Sequence, residues 1–418
     1  MDLNDTPELA EYRATVRDWL DTHKAQAPTL RAEDEGVDEQ EHVARRREWQ
    51  RKLAEGGLAA VTWPAEYGGQ GLGPLHQVVV NQEIGRAGVP GIFDIIGVGM
   101  LGPTLIAHGS EDQKQRHLGT MLTAEEVWCQ LFSEPAAGSD LAGIQSRARR
   151  EDDGSWRLSG QKVWTTNAQH ASFGLLLART DADVPKHKGL TMFVVPMDAQ
   201  GVTIRPLRQI SGEAHFNEVF FDDLALEPGS EVGPVNGGWG VAMTTLLFER
   251  VAIGLGGEGF GWRADRFAKA LLADEAATRD PEARHRYGEI AADFLALRFT
   301  GYRMLTTLQR GGVPGPEGAL AKVTTIKAAI AAGELLCDVL GPEGLGDEYF
   351  YELVSDLPGL KSAGGTEEIL RNMVGERVLG LPPEPRLDKG IPFSELRARE
   401  RGEAGDATRS AKTGAVAS

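Results

Sequence analysis

The sequence predicts an α+β fold in three consecutive parts: an N-terminal helical domain, a small antiparallel β domain and a second helical domain. Two changes of pattern predict it. Apolar residues recur every three or four positions up to residue 125, then give way near Val127 to short runs rich in β-branched and large apolar residues. Helical spacing returns at Gly237. Gly and Pro separate the β runs throughout, as expected for a small barrel or sandwich.

The elements follow in order. Helical stripes lie at 14–22, 41–55 and 75–87, with the Gly- and Pro-rich loop WPAEYGGQGLG at 63–73 between the last two. Strands are predicted at 145–150, 156–163, 173–179, 190–196, 202–207 and 218–226, with Asp153-Gly154 as a turn between the first two. Helices resume at 237 and hold to about Leu381. From Pro382 the chain is rich in Pro, Arg, Glu, Ala and Ser without an apolar stripe, which predicts a surface-hugging or flexible tail. The predicted domains are therefore 1–125, 126–232 and 233–382, with 383–418 as the tail.

Composition narrows the function. A chain of 418 residues can bury a large core. No apolar run approaches the roughly 18–20 residues of a membrane span. The start, MDLNDTPELAEYRATVRDWL, is acidic and amphipathic, unlike a signal or transit peptide, so a cytoplasmic location is expected. Cys129 and Cys337 stand far apart without metal-ligand spacing, which sets aside disulfides and zinc. A net charge of −17 opposes nucleic acid and anionic membranes. A small phosphate-rich ligand would need local Arg, Lys or helix N-termini to overcome that field.

Gly254, Gly256 and Gly259 match G-x-G-x-x-G, with Asp274 downstream. A dinucleotide-binding turn requires a buried strand before it. The preceding VAMTTLLFERVAI carries Glu249 and Arg250 at its middle, which suits a helix and not a central strand.

The specific signals are three ordered motifs. They are CQLFSEPAAGSDL from Cys129, GQKVWTTN from Gly160, and GGTEEILR from Gly364, running on into ERVLGLP. Taken singly, a Trp in a strand is usually core and a loop like SEPAAGSD is usually a turn. Together, over roughly residues 5–382, they resemble the acyl-CoA dehydrogenase family. The resemblance implies a C-terminal four-helix bundle, an FAD cofactor and an acyl-CoA substrate. It also implies α,β-dehydrogenation, in which a base removes the α proton while hydride leaves the β carbon for FAD N5.

The resemblance assigns roles residue by residue. Gln130, Leu131, Phe132 and Ser133 would pass along the flavin ring, Trp164 would pack beside it, and Thr165 and Thr166 would follow, with Thr166 near N5. Thr366 and Glu368 would also contact the cofactor, while Ser139 and Arg250 would face substrate. No metal is implied.

Many family members place the base before the Gly-Thr pair of the third motif. This chain has Gly364 there. The isovaleryl-CoA and long-chain branches instead carry it in an E-R pair on the long helix, which here is Glu249-Arg250. Helical spacing puts Thr245, Leu246, Ala252 and Ile253 around Glu249, and an apolar setting would raise its carboxyl pKa. Gly364 would still offer its backbone N–H to the thioester oxygen.

Two segments depart from the family pattern. The stretch 279–293, RDPEARHRYGEIAAD, lacks the R-x-x-F-G-x-P-L segment that helps bind FAD across a subunit interface; Arg286, Tyr287 and Gly288 are its nearest remnant. Asp338-Val339-Leu340-Gly341-Pro342 stands where Q-x-x-G-G is expected. The combination resembles bacterial dehydrogenases of steroid side chains and related bulky acyl-CoAs, some of which pair two family subunits as α2β2. The expected partners are thus an acyl-CoA, electron-transfer flavoprotein or a similar acceptor, and a homo- or hetero-oligomer. The alternative functions are a non-catalytic partner subunit and a related flavin oxidase.

Overall fold

The computed structural model describes residues 5–29, 36–255, 264–310, 312, 315, 318–344, 351, 354–356, 358–359 and 361–402. Among the described residues, the α-helices of the N-terminal domain are α1 (Pro7–His23), α2 (Glu39–Glu55), α3 (Pro74–Ala87), α4 (Gly102–His108) and α5 (Glu111–Leu122). Their starts are written in the sequence. Thr6 caps α1 ahead of Pro7, Asp38 caps α2, and Ser110 forms a capping box with Gln113 at α5. Glu83 of α3 is buried among Arg13, Arg17 and Arg86, joining α1 to α3. Burial alone would raise its carboxyl pKa, but the three guanidinium groups lower it to about 2.

The middle domain is an eight-stranded sheet of β1 (Trp128–Leu131), β2 (Arg147–Arg150), β3 (Trp156–Thr166), β4 (Phe173–Arg179), β5 (Leu190–Pro196), β6 (Val202–Leu207), β7 (Phe216–Leu226) and β8 (Glu231–Val232). Its order is β6-β7-β3-β2-β4-β5-β8, with β1 also on β4. The expected antiparallel pattern holds except at β4, which pairs parallel with β1 and at one point with β2. Sequence patterning missed β1 and β8, whose four and two residues are too short to show a period.

β4 and β5 read as unbroken apolar runs because both of their faces are covered. Leu175 and Leu177, with Leu190, Met192 and Val194, join the helical core around Trp49 and Trp128. The alternate residues Leu176, Ala178, Phe193 and Val195 join the β core with Trp156. These two strands fuse the domains into one body.

The C-terminal helices are α6 (Gly238–Leu255), α7 (Ala264–Ala273), α8 (Glu275–Arg279), α9 (Pro281–Gln309), α10 (Gly318–Gly344, interrupted at Gly341) and α11 (Glu367–Arg377). α10 is central and touches α6, α7, α9 and α11. α6 is helical through Leu255, which removes the strand a dinucleotide-binding turn would need; Gly256 and Gly259 lie outside the described residues. The segment read as a tail contains α12 (Phe393–Glu400), which hugs the β domain. Phe393 and Ser394 donate backbone N–H groups to Val184 and Ala182 at 2.9 and 2.8 Å. The Arg179 guanidinium sits 3.6 Å from the Phe393 ring centroid.

Candidate active site

The first and second motifs meet at a buried ion pair. Lys162 lies in β3, and its Nζ donates to Glu134 Oε1 at 2.9 Å and to the Phe132 carbonyl at 2.9 Å. Both charged side chains are buried. Glu134 also accepts from the backbone amides of Gln145, at 2.6 Å, and Ser146, at 2.9 Å. Burial alone would raise the Glu134 carboxyl pKa, but the Lys162 charge and these hydrogen bonds hold it below the usual range. Val163 N donates to the Ser133 carbonyl at 2.9 Å. The chain from Gln130 to Ser133 is thereby fixed against β3.

Gly160 lets Ser146, whose amide Glu134 holds, lie close against β3. A Cβ there would fall 2.2 Å from Ser146 Oγ. Past Lys162 the pairing with β7 slips: Lys162 faces Val219, and Thr165 faces Asn217. In this bulge Trp164 takes φ 60° and is 61% exposed beside Phe216. Non-glycine residues rarely adopt that backbone conformation, and a large apolar ring is seldom left in water. Thr165 points inward, and its buried Oγ1 has no hydrogen-bond partner among the described residues. An offered aromatic face beside an orphaned hydroxyl suits the planar, polar-edged ring of a flavin. Thr166 is half-buried next to them, while Ser139 is exposed.

Helix α6, which carries Glu249, is pinned separately. Thr245 Oγ1 meets Thr104 Oγ1 at 3.0 Å, and Thr244 Oγ1 meets His108 Nε2 at 2.8 Å, so α6 is fixed on α4. The π-helical turn Gly97–Leu101 touches both α6 and β1, which brings the helix beside the start of the first motif. Glu249 is half-buried on α6; the side chains of Arg250, Ala252 and Ile253 lie outside those described.

The third motif forms a turn. Gly364 and Gly365 adopt φ 61° and 92°, and Thr366 then caps α11. Positive φ at two successive positions suits glycine, so the absence of a carboxylate at 364 has a backbone reason. Glu368 stands exposed in the first turn of α11.

A residue that sequence reasoning missed connects this turn to α6. Lys322 of α10 is buried, and its Nζ donates to the Gly365 carbonyl at 2.5 Å. Burial lowers its pKa to about 8, while the charge of Glu249 acts in the opposite sense. The surroundings of Glu249 are therefore not only apolar, as helical spacing within α6 suggested. The available signal was a lysine on the stripe formed with Ile326 and Ala329, both buried.

The C-terminal helical part also meets the β domain near the bulge. Tyr351 Oη donates to the Ile210 carbonyl at 3.1 Å, and the Asp356 charge acts on His215, next to Phe216. Glu249 and the glycine turn thus share one neighbour, the buried Lys322 of α10. Among the described residues there is no cluster of metal-ligating side chains and no helix long and apolar enough to cross a membrane.

Comparison with known proteins identifies the family. The chain matches the acyl-CoA dehydrogenase N-terminal domain over residues 6–125, the middle domain over 129–224 and the C-terminal domain over 236–379. It is 38% identical over 391 residues to the acyl-CoA dehydrogenase IpdE1 of Mycobacterium tuberculosis, covering 91% of this chain and 99% of that protein. The IpdE1 of Mycolicibacterium smegmatis is 36% identical over 397 residues, covering 90% and 99%. Among solved structures, the Tcur3481-Tcur3483 steroid ACAD superposes with a TM-score of 0.78 at 27% identity, covering 92% of this chain and 100% of that one. The chain belongs to the acyl-CoA dehydrogenase family of flavoprotein oxidoreductases.

Proposed function

We propose that this enzyme dehydrogenates a bulky acyl-CoA between its α and β carbons, with Glu249 as the base. The observation that carries this reading is the convergence on Lys322: its ammonium holds the Gly364–Gly365 turn and is acted on by the charge of Glu249. A carboxylate for the α proton and a backbone N–H for the thioester oxygen then belong to one neighbourhood. FAD, when bound, would accept the hydride from the β carbon. Trp164, Thr165, Thr166 and the segment from Gln130 to Ser133 would hold its ring, with Thr366 and Glu368 completing the cofactor site. Ser139 and Arg250 would face the CoA thioester.

Likeness to a solved steroid ACAD supports a bulky acyl group, and that structure's two-protein name supports an assembly of two family chains. Electrons would leave through an electron-transfer flavoprotein or a similar acceptor. A cytoplasmic location fits such soluble partners.

Anaerobic stopped-flow reduction with an acyl-CoA that the wild-type enzyme turns over tests the base. Glu249→Gln keeps shape and hydrogen-bonding capacity, so flavin and substrate binding should persist. Reduction should slow by at least the ~10²–10⁴ that a general base supplies. Bleaching at the wild-type rate would show that the base lies elsewhere.

A further inference from the structure

The Gly364–Gly365 turn has no side chains of its own to fix it. Backbone bonds help from below: Ala363 N donates to the Gly359 carbonyl at 3.1 Å, and Glu367 N to the Lys361 carbonyl at 3.0 Å. The side-chain clamp on the Gly365 carbonyl is Lys322, from a different helix. A lysine is rarely buried, because removing an ammonium from water is costly unless partners replace the hydration. Lys322 is 4% exposed and sits on a face of α10 with Ala319, Ile326 and Ala329. An apolar residue would fill such a position at less cost if packing were the only requirement.

We propose that Lys322 is a positioning residue for proton abstraction, holding through the Gly365 carbonyl the turn that carries the Gly364 amide, with its ammonium acting electrostatically on Glu249. The inference rests on Glu249 being the base. Its logic is conservation of charge. Before transfer, the negative charge sits on the Glu249 carboxylate. The α proton moves to that carboxylate, and the electron pair of the broken C–H bond passes toward the thioester oxygen. One negative charge remains throughout, moving from the glutamate toward the Gly364 N–H. Lys322 anchors the turn at one end of that path through the neighbouring Gly365 carbonyl, and the charge of Glu249 acts on it from the other, so its charge need not rearrange as the proton moves.

The test uses holoenzyme and a 3-thiaacyl-CoA that the wild type deprotonates. Sulfur at the β position prevents hydride loss, so exchange of the α hydrogens in D2O, followed by NMR, reads proton abstraction alone. Lys322→Gln can still donate to the Gly365 carbonyl but lacks the charge, whereas Lys322→Arg keeps it. FAD per chain should stay within about twofold of wild type in both variants, since Lys322 is assigned no direct contact with the cofactor. Exchange should fall at least ~10-fold in Lys322→Gln, the loss of about one charge-assisted hydrogen bond. Lys322→Arg should recover most of it.

Wild-type exchange by Lys322→Gln, or equal slowing in both variants, overturns the proposal. Loss of FAD from both would make Lys322 a folding residue and overturn it equally. Glu249→Gln, run alongside, separates the two claims. If it exchanges normally, the base reading fails. If its exchange is abolished while Lys322→Gln is unaffected, only the role of Lys322 fails.

Discussion

Lys162 Nζ lies 2.9 Å from Glu134 Oε1, and this buried pair joins the loop that would line the flavin to the strand that carries Trp164. Removing one partner leaves the other charge buried without compensation. Lys162→Met is expected to cost about 3–5 kcal/mol of stability in urea titration. The double replacement Lys162→Met with Glu134→Gln should cost less, because no lone charge remains. Since the Glu134 pKa is depressed in the folded state, its contribution is complete above the ordinary value of 4.5 and fades as pH falls through the lower folded value.

Trp164 gives the opposite signature. It is exposed and holds φ 60°, so it adds little to packing and carries backbone strain. Trp164→Gly is expected to leave the melting temperature of the flavin-free protein unchanged or to raise it, by up to about 1 kcal/mol of relieved strain. Flavin affinity, measured by fluorescence titration, should fall several-fold to about tenfold with loss of the aromatic contact. A large loss of apo-protein stability would show that the ring is structural.

Asp94 links the π-helical turn to β1, accepting from Gly97 N at 2.8 Å and from Trp128 N at 3.0 Å. Burial raises its pKa from 3.8 to about 7, although both backbone hydrogen bonds favour the charged form. A raised folded value means that the native state holds its proton longer than the unfolded chain. Its contribution is therefore full below about 3.8 and is lost as pH rises through about 7. Asp94→Asn should flatten the fall in stability between pH 4 and pH 7 that this group adds, as read from melting curves across that window. An unchanged pH profile would remove Asp94 as its source.

Arg286 Nη1 donates to Asp338 Oδ2 at 2.6 Å, tying together the two segments in which this chain departs from the family pattern. The guanidinium that could face a dinucleotide phosphate is instead directed to a carboxylate. The chain expressed alone should therefore hold less than one FAD per chain, and co-expression with a second family subunit should raise the ratio. Absorbance ratios with mass in solution check this. A fully loaded, active monomer contradicts it. Asp338→Ala should change stability by less than about 1 kcal/mol, as expected for an exposed pair.

The sequence by itself determined the order of helix, strand and helix, because periodicity is local and each motif is contiguous. By resemblance it also offered Glu249, Gly364, Gln130 to Ser133 and Trp164 to Thr166 as candidates, because each motif lies within a few neighbouring letters. Tertiary structure decided what connects them. Lys162 and Glu134 are 28 residues apart, and Lys322 lies 43 residues from Gly365, so no local pattern records that they touch. The bulge that turns Trp164 outward depends on how β3 registers against β7, which β3 alone does not specify. Likewise, a tail without an apolar stripe can still dock, through Phe393 against the guanidinium of Arg179 and through backbone bonds to Val184 and Ala182. Hydrophobic spacing is written along the chain, whereas charge compensation in a core is settled only when distant segments exclude water together.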